Sequence, residues 1–100
     1  MHKYVAQFAP AEDKEGAWYV EFPQLEGCCT EGDTLPEALE NARECLTSYL
    51  EASSQENEEF PVPLDPEETR RIVMDNMRAQ GQACPVGIFF HTVLSYPLEK

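Results

Sequence analysis

Long apolar runs, basic side chains, histidine and phosphate-cradling glycine motifs are all scarce in this 100-residue sequence, and each shortage excludes a class of function. No apolar stretch approaches the roughly 18 residues that a membrane-spanning helix needs. The opening MHKYVAQFAP has no more than three apolar residues in a row, too few for the core of a signal peptide, so a cytoplasmic chain with no membrane association is expected. Lysine and arginine number 7 against 19 aspartates and glutamates, for a net charge of −12. Such a chain repels nucleic-acid phosphates unless its few bases are concentrated, and they are scattered. Neither GxGxxG nor a GxxxxGKS or GxxxxGKT loop occurs, and Gly27 and Gly32 fit turn geometry.

The 4 cysteines, Cys28, Cys29, Cys45 and Cys84, include no CxxC pair. Cys28 and Cys29 are neighbours, and neighbours on a strand point to opposite faces, which defeats a shared disulfide geometry. Reduced, mostly buried thiols are expected. A zinc site built from Cys28 or Cys29 with Cys84 and His91 has no ligand pair at the usual spacing, so neither a metal nor another cofactor is expected. Cys28 and Cys29 also have no basic neighbour or predicted helix start to lower their pKa. His91, between Phe90 and Thr92, reads as a structural histidine.

What is present is the pattern of one small domain. An apolar fraction of 42% argues against disorder. KYVAQFA alternates, with Tyr4, Ala6 and Phe8 on one face and Val5 and Gln7 on the other. A charged turn closed by Gly16 leads into AWYVEF, where Trp18, Val20 and Phe22 share a face and Tyr19 and Glu21 lie opposite. Pro23 ends that strand, and Gly27 allows a reversal into a short third strand, CCTE. The period then changes. Thr34 and Glu37 form a T-x-x-E capping box with Pro36 in the first turn. Leu35, Ala38, Leu39, Ala42, Cys45, Leu46, Tyr49 and Leu50 follow as one helical stripe, with Glu37, Glu40, Glu44 and Glu51 off it.

Residues 52–63 read as a loop. An additional helix is predicted over 65–80, stopped by Gly81, with a thin stripe of Ile72, Val73 and Met77. A last strand is predicted over 86–94, with Pro97 marking its end. It is apolar on both alternating sets, so it should be covered on both faces or sit at a subunit interface. The expected fold class is α+β: a single domain over 1–100, in the order β-β-β-α-(α)-β. Its antiparallel sheet has three to four strands, with the long helix on one face.

The acidity is lopsided. Residues 1–60 hold fourteen acids against Lys3, Lys14 and Arg43, giving −11, and residues 61–100 hold five against four, giving −1. Solubility accounts for part of this; a surface that meets a basic protein partner is the sharper reading. A two-metal nuclease needs several converging carboxylates, and Glu21 is the one acid whose strand position stands out. Tyr4, Phe8, Trp18 and Tyr19 as an RNA-stacking platform lack the surrounding Lys and Arg. Protein recognition remains, and no enzymatic activity is expected.

The stretch WYVEFPQLEGCCTEGDTLPEALENARECLTSYL resembles the HicB antitoxin family, whose core runs aromatic–Val–x–Phe–Pro–x–Leu–x–Gly–Cys, then Thr–x–Gly–Asp–Thr, then a Glu-Ala-Leu helix. Here these positions are Tyr19, Val20, Phe22, Pro23, Leu25, Gly27, Cys28, Thr30, Gly32, Asp33, Thr34, Glu37, Ala38 and Leu39. The resemblance covers residues 3–63. It implies a truncated ribonuclease-H-like sheet, a homodimer or higher homo-oligomer, and a partner: a small basic, mRNA-cleaving HicA-like toxin that the antitoxin occludes. The helix at 65–80 is extra to the pattern. Many relatives continue into a DNA-binding domain; six residues after Leu94 leave no room for one, so direct DNA binding is not expected. A standalone scaffold or regulator with no toxin is the alternative that this departure favours. Gly16, Pro23, Gly27, Gly32, Asp33, Thr34 and Glu37 are expected to shape turns and the helix cap. The exposed acids Glu26, Glu31, Glu40 and Glu44 are the expected contact residues.

Overall fold

The alternating segment Lys3–Pro10 forms the longest strand, β1, in the computed structural model, which describes residues 2–83 and 86–98. Strands β2 (Trp18–Glu21) and β3 (Cys29–Gly32) precede helix α1 (Leu35–Gln55), and helix α2 (Pro66–Ala79) precedes strand β4 (Phe89–Leu94). All pairings are antiparallel, in the spatial order β3-β2-β1-β4. Gly16, at φ +82°, lets the first hairpin close, and Gly27, at φ +84°, does the same for the loop between β2 and β3. In that loop the Phe22 N–H donates to the Cys28 carbonyl at 3.0 Å, just past the end of β2.

Helix α1 lies on the face made by Tyr4, Ala6, Phe8, Val20, Phe22 and Val93, burying Ala38, Ala42, Leu46 and Leu50 against them. The stripe read from the sequence is the stripe that is buried. Gly32 departs from its expected role. Its φ is not positive; instead a Cβ there would stand 2.4 Å from the backbone nitrogen of Ala38. Its hydrogen is what allows the first turn of α1 to touch the sheet. Thr34 caps that turn by accepting from the Glu37 N–H at 3.2 Å. Glu37 reaches back to the Asp33 N–H at 3.2 Å, one residue ahead of the cap. Lys14 joins Asp33 at 2.6 Å, linking the first hairpin turn to the helix start.

The helix runs further than expected, taking in Ala52–Gln55 from the segment read as loop. Nothing in that segment breaks a helix until Asn57, which adopts φ +59°. The N–H groups of Asn57 and Glu58 then donate back to Ser54 and Ser53 at 3.1 and 3.0 Å, so asparagine supplies the left-handed terminus that glycine usually provides. The chain next crosses to the other side of the sheet. Gln24 holds the crossing segment with both ends of its amide, donating to the Val62 carbonyl at 2.7 Å and accepting from the Leu64 N–H at 3.0 Å. Tyr4 adds a hydrogen bond from its hydroxyl to the Pro61 carbonyl.

Asp65 caps α2 by accepting from the Glu68 N–H at 2.8 Å, and Gly81 at φ +73° ends it. Val73, Asn76 and Met77 border a shallow hollow with Gln7 and Glu21, which lie on the sheet face opposite α1. The extra helix therefore forms a partial second layer, and Val5 is buried on its side of the sheet. The last strand is covered only in part: Val93 is buried, Phe89, Phe90 and Thr92 are half-buried, and His91 and Leu94 are exposed. That strand is shorter than the predicted 86–94. Gly87 turns at φ +86° beside Pro10, Val86 is exposed, and pairing begins at Phe89. Beyond Leu94 the Ser95 N–H donates to the His2 carbonyl at 2.8 Å, and Tyr96 crosses to α1, donating its N–H to Thr47 Oγ1 at 2.8 Å. Among the described residues no helix is long and apolar enough to cross a membrane.

Candidate partner-binding surface

Period-2 alternation sends Tyr19 and Glu21 of β2, and Cys29 and Glu31 of β3, to the face away from α1. The register sets Tyr19 opposite Glu31 and Glu21 opposite Cys29. Helix α2 lies over the β1–β4 side, so this half of the outer face is open. It forms a depression of about 500 Å³ with Gln7 and Ala9 at its β1 side. Tyr19 keeps 44% of its surface exposed there and donates its hydroxyl to Asp13 Oδ1 at 2.9 Å. That hydrogen bond and the Asp13 charge, with a smaller push from Glu31, raise the phenol pKa above its ordinary value. The phenol is therefore held protonated and neutral.

Among the described residues no lysine or arginine lines the depression. Carboxylates at Asp13, Glu21 and Glu31 around an aromatic ring suit a guanidinium or ammonium group, which the carboxylates pair and the ring face supports.

The four acids expected to make contacts do not share one face. Glu31 lies in the depression, and Glu26 is exposed in the loop between β2 and β3. Glu40 and Glu44 are exposed on α1, on the other side of the sheet. Glu40 is already engaged, accepting from the Tyr96 hydroxyl, while the Arg43 guanidinium stands 3.8 Å over the Tyr96 ring. Sequence reasoning overlooked Asp13, Tyr19 and Glu21 as one surface. Alternation alone puts Tyr19 and Glu21 together, but bringing in Glu31 needs the register of β3.

The thiols are less buried than expected. Cys28 is buried, Cys45 half-buried and Cys29 exposed, because its neighbour Cys28 takes the inward position. Cys28 and Cys45 approach to 3.7 Å between sulfurs, and burial pushes the Cys28 pKa up, keeping it a thiol. Cys84, part of the zinc combination set aside above, lies outside the described residues. Among those described, no three His, Cys, Asp or Glu side chains are grouped to hold a metal ion. His91 is exposed, bordering a groove with Leu39 and Arg43 and standing edge-on to Phe8 at 6.5 Å.

Known proteins share this architecture. The chain is 40% identical over 50 residues to a UPF0150 protein of Thermoplasma acidophilum, spanning 50% of this chain and 72% of that one. It is 38% identical over 61 residues to Antitoxin HicB 1 of Photorhabdus laumondii, spanning 61% of this chain but only 38% of that protein. The fold superposes with a TM-score of 0.73, at 23% identity, on a chain of a toxin–antitoxin complex from Streptococcus pneumoniae, covering 99% of this chain and 78% of that one. The family described as HicB-like antitoxin of bacterial toxin–antitoxin system matches residues 4–78. With three quarters of its length inside that match, and with the hairpin, capped helix and crossing segment all within it, the chain belongs to the HicB-like antitoxin family.

Proposed function

We propose that this chain is the antitoxin half of a toxin–antitoxin pair and that it silences a small, basic, mRNA-cleaving HicA-type toxin by covering it. The open outer face of β2 and β3 receives the toxin's cationic side chains. The observation that carries this reading is the depression lined by Glu21, Glu31 and an exposed Tyr19 whose hydroxyl is held by Asp13, with no lysine or arginine among the described residues lining it. A protein surface that draws RNA phosphates also draws carboxylates, so complementarity steers the two chains together and orients them. Silencing by coverage asks for no reaction from the antitoxin, which acts as a binding protein and not as an enzyme.

The test is to co-express the chain with a small basic HicA-type toxin and to measure affinity by calorimetry at low and high salt. Glu21→Gln with Glu31→Gln should weaken binding by about ten- to a hundredfold, on the scale of close interfacial charge pairs, and should flatten the salt dependence. Glu40→Gln with Glu44→Gln should leave it nearly unchanged. The reverse ranking would move the interface to α1, and no complex at micromolar concentration would remove the reading.

A further inference from the structure

Cys28, Cys29 and Cys45 gather at the start of β3, and two of the sulfurs touch. The loop between β2 and β3 pins the Cys28 backbone on both sides: its N–H donates to the Leu25 carbonyl and its carbonyl accepts from the Phe22 N–H, each at 3.0 Å. The Cys28 side chain points into the core and meets Cys45, from the middle of α1, with 3.7 Å between sulfurs. The Cys45 thiol also donates to the Cys29 carbonyl at 3.4 Å, which holds its sulfur against the strand. Cys29 sends its own sulfur to the outer face, where it donates to the Gly27 carbonyl at 3.9 Å.

The touching pair differs in access. Cys28 is 2% exposed, whereas Cys45 is half-buried. An oxidant the size of a small peptide reaches the Cys45 sulfur and is kept from Cys28. One sulfur open to attack, in contact with one that is not, is the arrangement in which the first takes up the oxidant and the second expels it. We infer that Cys28 and Cys45 form a reversible oxidation site, closed to a disulfide by exchange with a small peptide disulfide of the glutathione class.

The exchange runs in two steps. Cys45, as thiolate, attacks one sulfur of the oxidant; a Cys45–glutathione bond forms, the oxidant's own S–S bond breaks, and the departing half takes up the proton that Cys45 released. Cys28 then attacks Cys45 Sγ, the mixed disulfide breaks, and the second glutathione leaves with the Cys28 proton. Two protein thiols lose two electrons, and one oxidant disulfide becomes two thiols. The protein sulfurs have to close by about 1.7 Å, to an ordinary bond of about 2.05 Å. Burial keeps Cys28 protonated, so the second step is the slower one. The product fastens the leading end of β3, the strand that carries Cys29 and Glu31, to α1. This inference does not rest on the antitoxin reading, since the exchange needs only the chain and the oxidant.

The experiment isolates the pair in the full chain with Cys29→Ser and Cys84→Ser, incubates it with oxidised glutathione, and reads intact mass and peptide maps. The expected product has lost two hydrogens, carries no glutathione, links the peptides that hold Cys28 and Cys45, and is reversed by dithiothreitol. Cys28→Ala in that background should stop at a glutathione adduct on Cys45, and Cys45→Ser should leave Cys28 unmodified. Far-UV circular dichroism checks that each variant is folded. Cross-linking residues 17 apart should raise the urea midpoint of the oxidised protein by about 1 M over the reduced one. An adduct that persists on Cys45 with Cys28 present would overturn the inference. So would thiols that both stay free to alkylate on unfolding after the incubation, or a cross-linked protein no more stable than the reduced one.

Discussion

Replacing Gly32 with alanine adds one methyl group, and the structure sets what that methyl must displace. Its carbon would lie 2.4 Å from the Ala38 nitrogen, 2.6 Å from the Ala38 Cα and 2.9 Å from the Glu37 carbonyl carbon. All three are backbone atoms of the first helical turn, so no side-chain rotation relieves the clash. Restoring ordinary contact at about 3.4 Å requires the start of α1 to retreat by about 1 Å, and a gap of that size forfeits a quarter to a half of each van der Waals contact across it. Ala38 and Ala42, both at 0% exposure, lie closest to the affected end and cannot lengthen to fill the gap. The expected loss is about 2–4 kcal/mol, at or above the usual cost of overpacking, because backbone and not side chain must yield. Urea unfolding followed by circular dichroism should show a lower midpoint at unchanged slope. Gly27→Ala is the internal comparison: φ there is +84° with nothing within 4 Å of the added carbon, so only left-handed strain of about 1–2 kcal/mol is at stake. A Gly32→Ala protein as stable as the wild type, or more stable than Gly27→Ala, would refute the view that close helix approach is what Gly32 provides.

Thr34→Ala removes the acceptor for the Glu37 N–H and should cost about 1 kcal/mol in the same denaturation assay, with no loss if the cap is filled by solvent alone. Thr47→Val leaves the Tyr96 N–H without its acceptor and should cost about 1–3 kcal/mol, with faster hydrogen exchange at Tyr96; retained protection there would contradict the assignment. Asp13→Asn should lower the Tyr19 pKa toward its ordinary value, seen as an earlier phenolate transition in an ultraviolet alkaline titration. The sign follows from the raised value: the protonated phenol is favoured in the fold, so its contribution to stability is complete below the ordinary pKa and is lost as pH rises through the folded one. An unshifted titration in Asp13→Asn would break the link between the two groups.

The hairpin, the capped helix and the buried stripe were legible because each is a local pattern: alternation in Tyr4, Ala6 and Phe8, the Thr34–Glu37 spacing, and the recurrence of Ala38, Ala42, Leu46 and Leu50. What stayed hidden depended on backbone conformation and on which elements meet, neither of which a periodic pattern carries. Gly32 looks like a turn residue until the helix it introduces is seen folding back on it. The helix end is not legible because asparagine at 57 takes a backbone conformation that reads as unremarkable in a polar stretch. The sparse stripe on α2 could not say which side of the sheet it would cover. The candidate surface suffered the same way: acidic abundance was plain, but only the pairing of Tyr19 with Glu31 selects which carboxylates stand together. The exposure of Glu40 and Glu44 says nothing about which groups stand beside them.

Gln24 spans two roles at once, since one amide both donates to Val62 and accepts from Leu64. No other side chain of its size carries a donor and an acceptor side by side at the same reach. Glutamate, chemically its nearest substitute, would set lone pair against lone pair at the Val62 carbonyl and push the tether away. An exchange that looks harmless on paper would then loosen the crossing segment ahead of α2, leaving it to the Tyr4–Pro61 hydrogen bond and the Leu64 N–H. The loop between β2 and β3 thus does for the second layer what a latch does for a door.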